Sequence, residues 1–263
     1  MKVFGLIKSF LRTSIQEDLA YRSNFWIKLL HSILNLIVAF SAILILFTQI
    51  EAINGWSFQS TVGVLAVYLI VSALRDLFIG PSLEKLAGMG QEILNGQFDF
   101  SLIRPVNIQF LVTFSKWRIF ATLDLFLGVG VFLYALFSTS NTTTWTSWVL
   151  FGIALTAGII VLYALLLGLC SIAFWSPGFM ITWLFDALFQ LARYPIGIYP
   201  PLVRIVLTWI IPIGLITTVP VQALNAEIGI GMVLLSLSIS LLLFIFSSWL
   251  FRQGVNRYQS ASS

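Results

Sequence analysis

Charged residues are scarce in this sequence. Only 9% of its 263 residues are Asp, Glu, Lys or Arg, whereas 59% are hydrophobic, and the mean hydropathy is +0.99. An ordinary soluble domain is about a quarter charged, because those residues cover its water-facing surface. The composition therefore excludes an ordinary soluble domain and indicates that lipid surrounds much of the chain.

Histidine and cysteine are almost absent as well. One histidine, His31, and one cysteine, Cys170, are too few for an internal disulfide or for the usual His-rich or Cys-rich metal sites. The glycine-rich loop ending in Lys-Ser or Lys-Thr that cradles nucleotide phosphates is also missing. We expect a non-enzymatic chain with no catalytic residue, metal or cofactor of its own, and a purely packing role for Cys170.

Long apolar runs fill most of the chain. A membrane-crossing helix needs about 20 mostly apolar residues, and its backbone groups must bond within their own segment. The sequence predicts an all-α integral membrane protein, read as one domain over 1–263, without a cleavable signal peptide. It has six transmembrane helices, at residues 26–50, 61–79, 116–137, 145–175, 178–199 and 227–251.

The distribution of Lys and Arg predicts the topology. The net charge of +4 is small and scattered, so no nucleic-acid partner is expected. Basic residues concentrate before span one, between spans two and three, and in the C-terminal tail, while loops 51–60 and 138–147 have none. Because basic residues favour the cytoplasmic side, both termini are predicted to be cytoplasmic. Arg193 and Arg204 then fall on the outer side and break the rule.

The first 24 residues differ from the spans. Phe4, Ile7, Leu11 and Ile15 recur at helical spacing, with polar side chains on the opposite face. This pattern is typical of an amphipathic helix that lies along a membrane surface. A solvated tail is the alternative.

The longest hydrophilic stretch is the link at 80–109. Pro81 is expected to begin a helix, Gly88, Gly90 and Gly96 to interrupt it, and Pro105 to favour an extended segment before span three. Apolar residues in this link are expected to be exposed, either as a docking surface for a soluble partner or as part of an ordinary loop. They are Ile93, Leu94, Phe98, Phe100 and Leu102.

Several charged residues fall inside the predicted spans toward their cytoplasmic ends, among them Arg75, Asp76, Arg118, Asp124 and Asp186. Charge in hydrocarbon costs roughly 2.5–3.5 kcal/mol per residue. Snorkelling or mutual pairing, for example of Asp76 with Arg118, accounts for them. A polar entrance for a substrate, or a relay to a cytoplasmic partner, is the alternative.

Proline is concentrated in one region. Five of the eight prolines lie between residues 195 and 220, where they break an apolar stretch into a helix end, a short helix over 201–211 and a bent segment. Irregular backbone at membrane depth requires burial in protein or a cavity. We therefore predict a re-entrant outer helix within 200–225, between spans five and six.

These features together resemble the ABC-2-type permease family, the membrane subunits of ATP-binding-cassette exporters, and within it the subgroup formerly called a domain of unknown function. The resemblance covers nearly the whole chain. It is carried by EDLAYRSN at 17–24, GQFD at 96–99, LIRPV at 102–106, Arg193-Tyr194-Pro195, Tyr199-Pro200-Pro201, the WIIP segment ending at Pro212, and Arg257-Tyr258.

The resemblance implies a function and its parts. The chain would be a permease subunit in a bacterial plasma membrane, and it would form the substrate path with a second, identical or homologous permease. Separate ATPase subunits would bind ATP and Mg. Residues 1–24 would form an interfacial elbow helix, and the 80–109 link would couple to the ATPase through Glu84, Glu92, Asp99 and Arg104. An outer gate would contain Arg193, Tyr194, Tyr199, Arg204 and Pro212.

An ion-gradient-driven carrier is the alternative function. It requires essential carboxylates inside the membrane, and Asp124 and Asp186 are the candidates. A lipid-modifying enzyme and a non-transporting scaffold have less support, because no catalytic cluster is visible.

The topology can be tested by accessibility labelling. Probes directed at the 80–109 link should react from the cytoplasmic face only. Reaction from outside the cell would remove the surface on which an ATPase is expected to dock.

Overall fold

Long helices make up most of the molecule. The computed structural model describes residues 3–87, 92–138, 143–176 and 181–258. The predicted breaks at Gly88 and Gly90, loop residues 139–142 and the predicted start of span five at 178 lie outside these ranges. Five helices in the described part are long and apolar enough to cross a membrane: Ser23–Phe47, Phe58–Ala87, Ile119–Ser138, Trp145–Ile172 and Ile230–Arg257. The chain is thus a multi-pass, all-α membrane protein.

The first two helices are α1 (Val3–Ala20) and α2 (Arg22–Phe47), which are separated at Tyr21. The expected N-terminal helix therefore forms as a separate element. A β-hairpin follows α2, with β1 (Ala52–Ile53) antiparallel to β2 (Trp56–Ser57). Asn54 and Gly55 both have positive φ at its turn, the conformation that an Asn-Gly pair adopts readily.

The second span differs from prediction at Pro81. The helix α3 (Phe58–Leu74) continues through a π-helical turn (Arg75–Ile79) into α4 (Gly80–Ala87). Pro81 therefore lies inside a helix and does not begin one. A proline removes the bond to the carbonyl four residues earlier, which is Leu77, and that carbonyl accepts the N–H of Arg118 at 2.9 Å. Because this bond replaces the lost one, the helix continues and the link begins only after Ala87.

Two short helices and a 3-10 turn precede the third span. After α5 (Asp99–Leu102) comes α6 (Ile108–Phe114), whose first turn is capped by the Asn107 side chain. The expected extended entry into span three is therefore partly helical. A 3-10 turn (Ile119–Ala121) leads into α7 (Thr122–Ser138).

The region after α8 (Trp145–Ile172) contains no long fifth span in its described part. Helix α9 (Ile181–Phe189) continues only into 3-10 turns at Gln190–Arg193 and Ile196–Ile198. The predicted span at 178–199 is not confirmed by the described residues, because the 13 residues from 181 to 193 extend only about 20 Å at 1.5 Å per residue.

The short helix predicted after Pro200 is present. Helix α10 (Pro201–Ile205) and a π-helical turn (Val206–Ile210) lead to a 97° bend before α11 (Gly214–Leu224). This pair is either one broken span, which brings the candidate spans to six, or a re-entrant loop. The last helix is α12 (Ile230–Arg257).

The core forms where α3, α7, α8, α11 and α12 pack together. Helix α3 is the most buried of the long helices, and glycines let its neighbours approach closely. A Cβ built on Gly128 would lie 2.9 Å from the Ile70 backbone nitrogen, and one on Gly158 would lie 2.9 Å from the Ile216 backbone. Cys170 is fully buried. Gly158 of α8 thus packs closely against the backbone of α11.

The Gly158 contact predicts a sharp difference between two glycines of α8. Gly158→Ala should lower the free energy of unfolding by about 1–3 kcal/mol, because its methyl group meets rigid backbone. Gly152→Ala is the matched control, since nothing lies within 4 Å of its Cβ position, and it should leave stability unchanged or raise it. Thermal unfolding in detergent measures both, and equal effects would contradict the close helix contact.

Candidate functional site

A buried arginine organises the end of the helix bundle that carries the link, which we call the link end. The Arg75 guanidinium bonds the Asp186 carboxylate and lies 3.9 Å from both Asp76 and Glu84. It also stacks over the Phe185 ring, 5.3 Å from its centroid. Arg75 is 7% exposed, so charge pairing and the cation–π contact replace its lost hydration.

The charged residues of the spans are paired, but not in the combination given as an example. Arg118 binds Glu84 at 3.0 Å, while the basic side chain paired with Asp76 is its neighbour Arg75, at 3.9 Å. Asp124 pairs with Lys28 of α2 at 3.0 Å. The pairing interpretation is therefore right, while the named partner was wrong.

The N-terminal helix is tied to the start of the third span. Ser14 Oγ accepts the Trp117 N–H at 3.0 Å, and an Asp18 carboxylate oxygen accepts the Ile119 N–H at 2.7 Å. Glu17 and Lys116 form a longer ion pair of 3.7 Å. These bonds satisfy backbone donors exposed where the chain breaks before α7.

The link is anchored by one aromatic side chain. Phe98 is fully buried, with its ring centroid 5.4 Å from that of Phe174 after α8 and 5.1 Å from that of Tyr258 after α12. Desolvation, and then the neighbouring Asp99 carboxylate, raise the pKa of Tyr258. Phe98 and Ile93 were expected to be exposed, and the structure buries both because the link folds back against the helix ends.

The tip of the link, Asp99–Pro105, carries an exposed apolar surface. Ile103 is 79% exposed and Phe100 is 67% exposed, and the neighbouring Leu102 and Leu94 are also exposed. Arg104 is exposed beside them. Exposed apolar side chains on an otherwise polar link are a candidate interaction surface.

The four predicted coupling residues divide into two pairs. Glu84 lies in α4 and binds Arg75 and Arg118, and Glu92 is buried and binds Lys85 at 2.8 Å. Asp99 and Arg104 lie on the tip itself. Of the four, Arg104 is exposed, Asp99 and Glu84 are half-buried, and Glu92 is buried.

The predicted outer-gate residues come together at the opposite end, which we call the hairpin end. Arg204 donates to the carbonyls of Gly197 at 2.9 Å and Tyr199 at 3.4 Å, and Asn54 of the hairpin also donates to Gly197. A Cβ on Gly197 would lie 2.6 Å from Trp56 Nε1. The hairpin, which the Asn-Gly pair at 54–55 could have revealed, thus packs directly on this loop.

The other gate residues surround the same loop. The Arg193 guanidinium lies 5.3 Å from the centroid of the Tyr68 ring of α3, and the Tyr199 hydroxyl donates to the Leu191 carbonyl at 2.9 Å. Tyr194 is half-buried. Pro212 is buried at the 97° bend. Arg193 therefore faces protein, which explains why it departs from the charge rule.

A polar cluster that the sequence did not reveal lies between α6, α8 and α12. The Gln109 amide donates to the hydroxyls of Tyr163 at 3.1 Å and Ser248 at 2.9 Å, and the Thr113 hydroxyl is 2.9 Å from that of Tyr163. The residues come from three distant segments, so no local pattern indicates them. The cluster borders a cavity of about 490 Å³.

No metal-binding arrangement accompanies these features in the described ranges, where no group of three or more His, Cys, Asp or Glu side chains converges. The model of a family described as ABC-2 family transporter protein matches residues 33–262. No curated protein and no solved structure matches the chain.

The Arg75 network predicts that the Arg75 side chain contributes more to stability than the exposed Lys116 side chain. Arg75→Met should lower the free energy of unfolding by about 3 kcal/mol, because Asp186 and Glu84 would lose a buried partner. Lys116→Met is the control: its ion pair with Glu17 is about half exposed and should contribute less than about 1 kcal/mol. Unfolding in mixed detergent micelles measures both, and similar losses would argue against the network.

Proposed function

We propose that this chain, which belongs to the ABC-2 family transporter proteins, is the permease subunit of an ATP-binding-cassette exporter. It forms the substrate path with a second permease, identical or homologous, and separate ATPase subunits drive it. ATP and Mg bind to those ATPase subunits, and this chain contributes no catalytic residue or cofactor. Its place is the plasma membrane of a bacterium, with both termini in the cytoplasm.

The anchored tip carries this proposal. A docking surface for a motor must be exposed and must also be connected firmly to the helices that move. Phe100 and Ile103 supply the exposed surface, and Phe98 supplies the connection, since its ring is packed between the ends of α8 and α12. Proteins of this family generally pair with ATPase subunits, and the tip is the surface suited to that contact.

The contacts around the tip define a path for the motion. A push on the tip acts through Phe98 on α8 and α12, because Gly254 packs so closely against Phe174 that a Cβ there would lie 2.4 Å from its ring. It also acts through α4, where Glu84 connects Arg75 and Arg118. The Arg75–Asp186 pair extends the path to α9.

The hairpin end supplies the opposing gate in this proposal. The loop from Arg193 to Arg204 is held by bonds to its own carbonyls and to Asn54. The loop also contacts the core, because Ile196 is buried and its N–H bonds the Thr218 hydroxyl at 3.2 Å, so opening the gate must also break these contacts. Arg204 and Tyr199 are the residues that would hold the gate closed.

The ion-gradient carrier has weaker support. Asp124 and Asp186, its two candidate carboxylates, are each bound to a cation, Lys28 and Arg75 respectively. Structural pairing therefore accounts for both groups without a coupling role.

The tip predicts the outcome of an association experiment. Ile103→Asp should abolish co-purification with the ATPase encoded beside this chain, because a desolvated carboxylate would lie in an apolar contact. Ile50→Asp makes the same change at an exposed site (49%) at the hairpin end, and it should leave co-purification intact. Retained association in the Ile103 variant, or transport by the chain alone, would overturn the proposed function.

A further inference from the structure

The cavity beside the polar cluster has the composition of a binding site. Its volume of about 490 Å³ lies within the usual range for small-molecule sites. The apolar wall contains Phe78, Phe110, Phe114 and Phe244, all only partly buried. The cavity is therefore open to the surroundings of the helices.

The polar side of the cavity carries no charge. Gln109 and Thr113 of α6 and Tyr163 of α8 line it, and Ser248 lies behind Gln109. Their hydroxyl and amide groups bond one another and are already satisfied, so the cluster is stable when empty. The same groups can exchange these bonds for bonds to an uncharged hydroxyl or amide. An isolated charge would remain unpaired there, at high cost.

The polar cluster lies near one edge of the hydrocarbon layer, at the level of the lipid headgroups. Tyr163 follows the start of α8 by 18 residues, and Ser248 follows the start of α12 by the same number, which corresponds to about 27 Å at 1.5 Å per residue. The hydrocarbon layer is about 30 Å thick. Tryptophan is enriched at the two membrane–water interfaces. Exposed Trp145 at the start of α8 and exposed Trp249 next to Ser248 lie near the two ends of this length of about 27 Å.

The apolar wall extends from this level toward the membrane centre. Ile159 and Ile160 lie about one turn before Tyr163, and Phe244 lies one turn before Ser248, so they continue the cavity toward the hairpin end. A molecule in the cavity would thus have its polar part at the interface and its apolar part among aromatic and aliphatic side chains.

We propose that this cavity binds an amphiphile with an uncharged, hydroxyl-rich or amide-bearing headgroup at Gln109, Thr113 and Tyr163 and an apolar chain along Ile160 and Phe244. The ligand enters from the leaflet at the link end. As a binding site the cavity is independent of any partner, but its role as an entry site for cargo rests on the proposed permease function.

Photo-crosslinking of the full chain in lipid nanodiscs tests the site. The probe is dodecyl glucoside with a diazirine in its alkyl chain, compared with dodecyl sulfate and dodecyltrimethylammonium that carry the same photoreactive chain. Mass spectrometry should find saturable labelling of peptides containing 107–114, 159–163 and 244–248 by the glucoside. The two charged probes should label them at least tenfold less at equal concentration.

Two variants separate the headgroup from the chain. Tyr163→Phe should raise the half-saturation concentration of the glucoside about fivefold, the effect of about 1 kcal/mol for one hydrogen bond. Ile160→Trp should block labelling by filling the space for the chain. Tyr134→Phe is the control. It also removes a tyrosine hydroxyl, but from the separate apolar groove between α2 and α7, and it should have no effect on labelling of the cavity.

Labelling that does not saturate, that is equal for the three headgroups, or that is unchanged in Tyr163→Phe would overturn the site and show only bulk hydrocarbon in the cavity. With the ATPase present, loss of bound glucoside probe on addition of MgATP identifies a cargo site, and retention identifies a resident lipid site; both support binding. Failure of the site leaves ATPase co-purification intact, whereas failure of the permease function leaves saturable labelling intact.

Discussion

The hydrogen bond from the Arg118 N–H to the Leu77 carbonyl is the interaction on which the link end depends. In hydrocarbon every peptide group needs a partner within the protein, and Pro81 leaves the Leu77 carbonyl without its helical donor. Because the backbone just before α7 supplies that donor, the helix from Phe58 to Ala87 remains continuous. The same contact brings the start of the third span against the second.

The charged residues gather where these two spans meet. The Arg118 backbone N–H bonds the Leu77 carbonyl, and the Arg118 side chain binds Glu84. Arg75, which lies in the π turn, pairs with Asp186. The hydrogen bond between Arg118 and Leu77 thus brings charged residues of two spans together in an otherwise apolar bundle. Such a network is costly to bury unless complete, and it gives the link end a single, well-defined arrangement.

Much of this architecture could be predicted from local pattern. Apolar runs of about 20 residues indicated the spans, and the prolines after residue 195 indicated the broken helix at Pro201. Whether Pro81 begins a helix or lies inside one could not be predicted in the same way, because it depends on a donor for the Leu77 carbonyl that comes 41 residues after Leu77, the Arg118 N–H. The burial of Phe98 likewise depends on Phe174 and Tyr258, which lie far along the chain.

The sequence by itself determined that lipid surrounds much of the chain, that the chain is helical and that one link is polar. These properties follow from hydropathy and from the need of each backbone group for a local partner. Only the tertiary structure decided which charges pair, which link residues are exposed, and that Gln109, Tyr163 and Ser248 form one polar cluster beside a cavity. The physical reason is that these contacts join segments far apart in the chain, 139 residues in the case of Gln109 and Ser248. Their geometry is set by how the helices pack and not by any repeat within one of them.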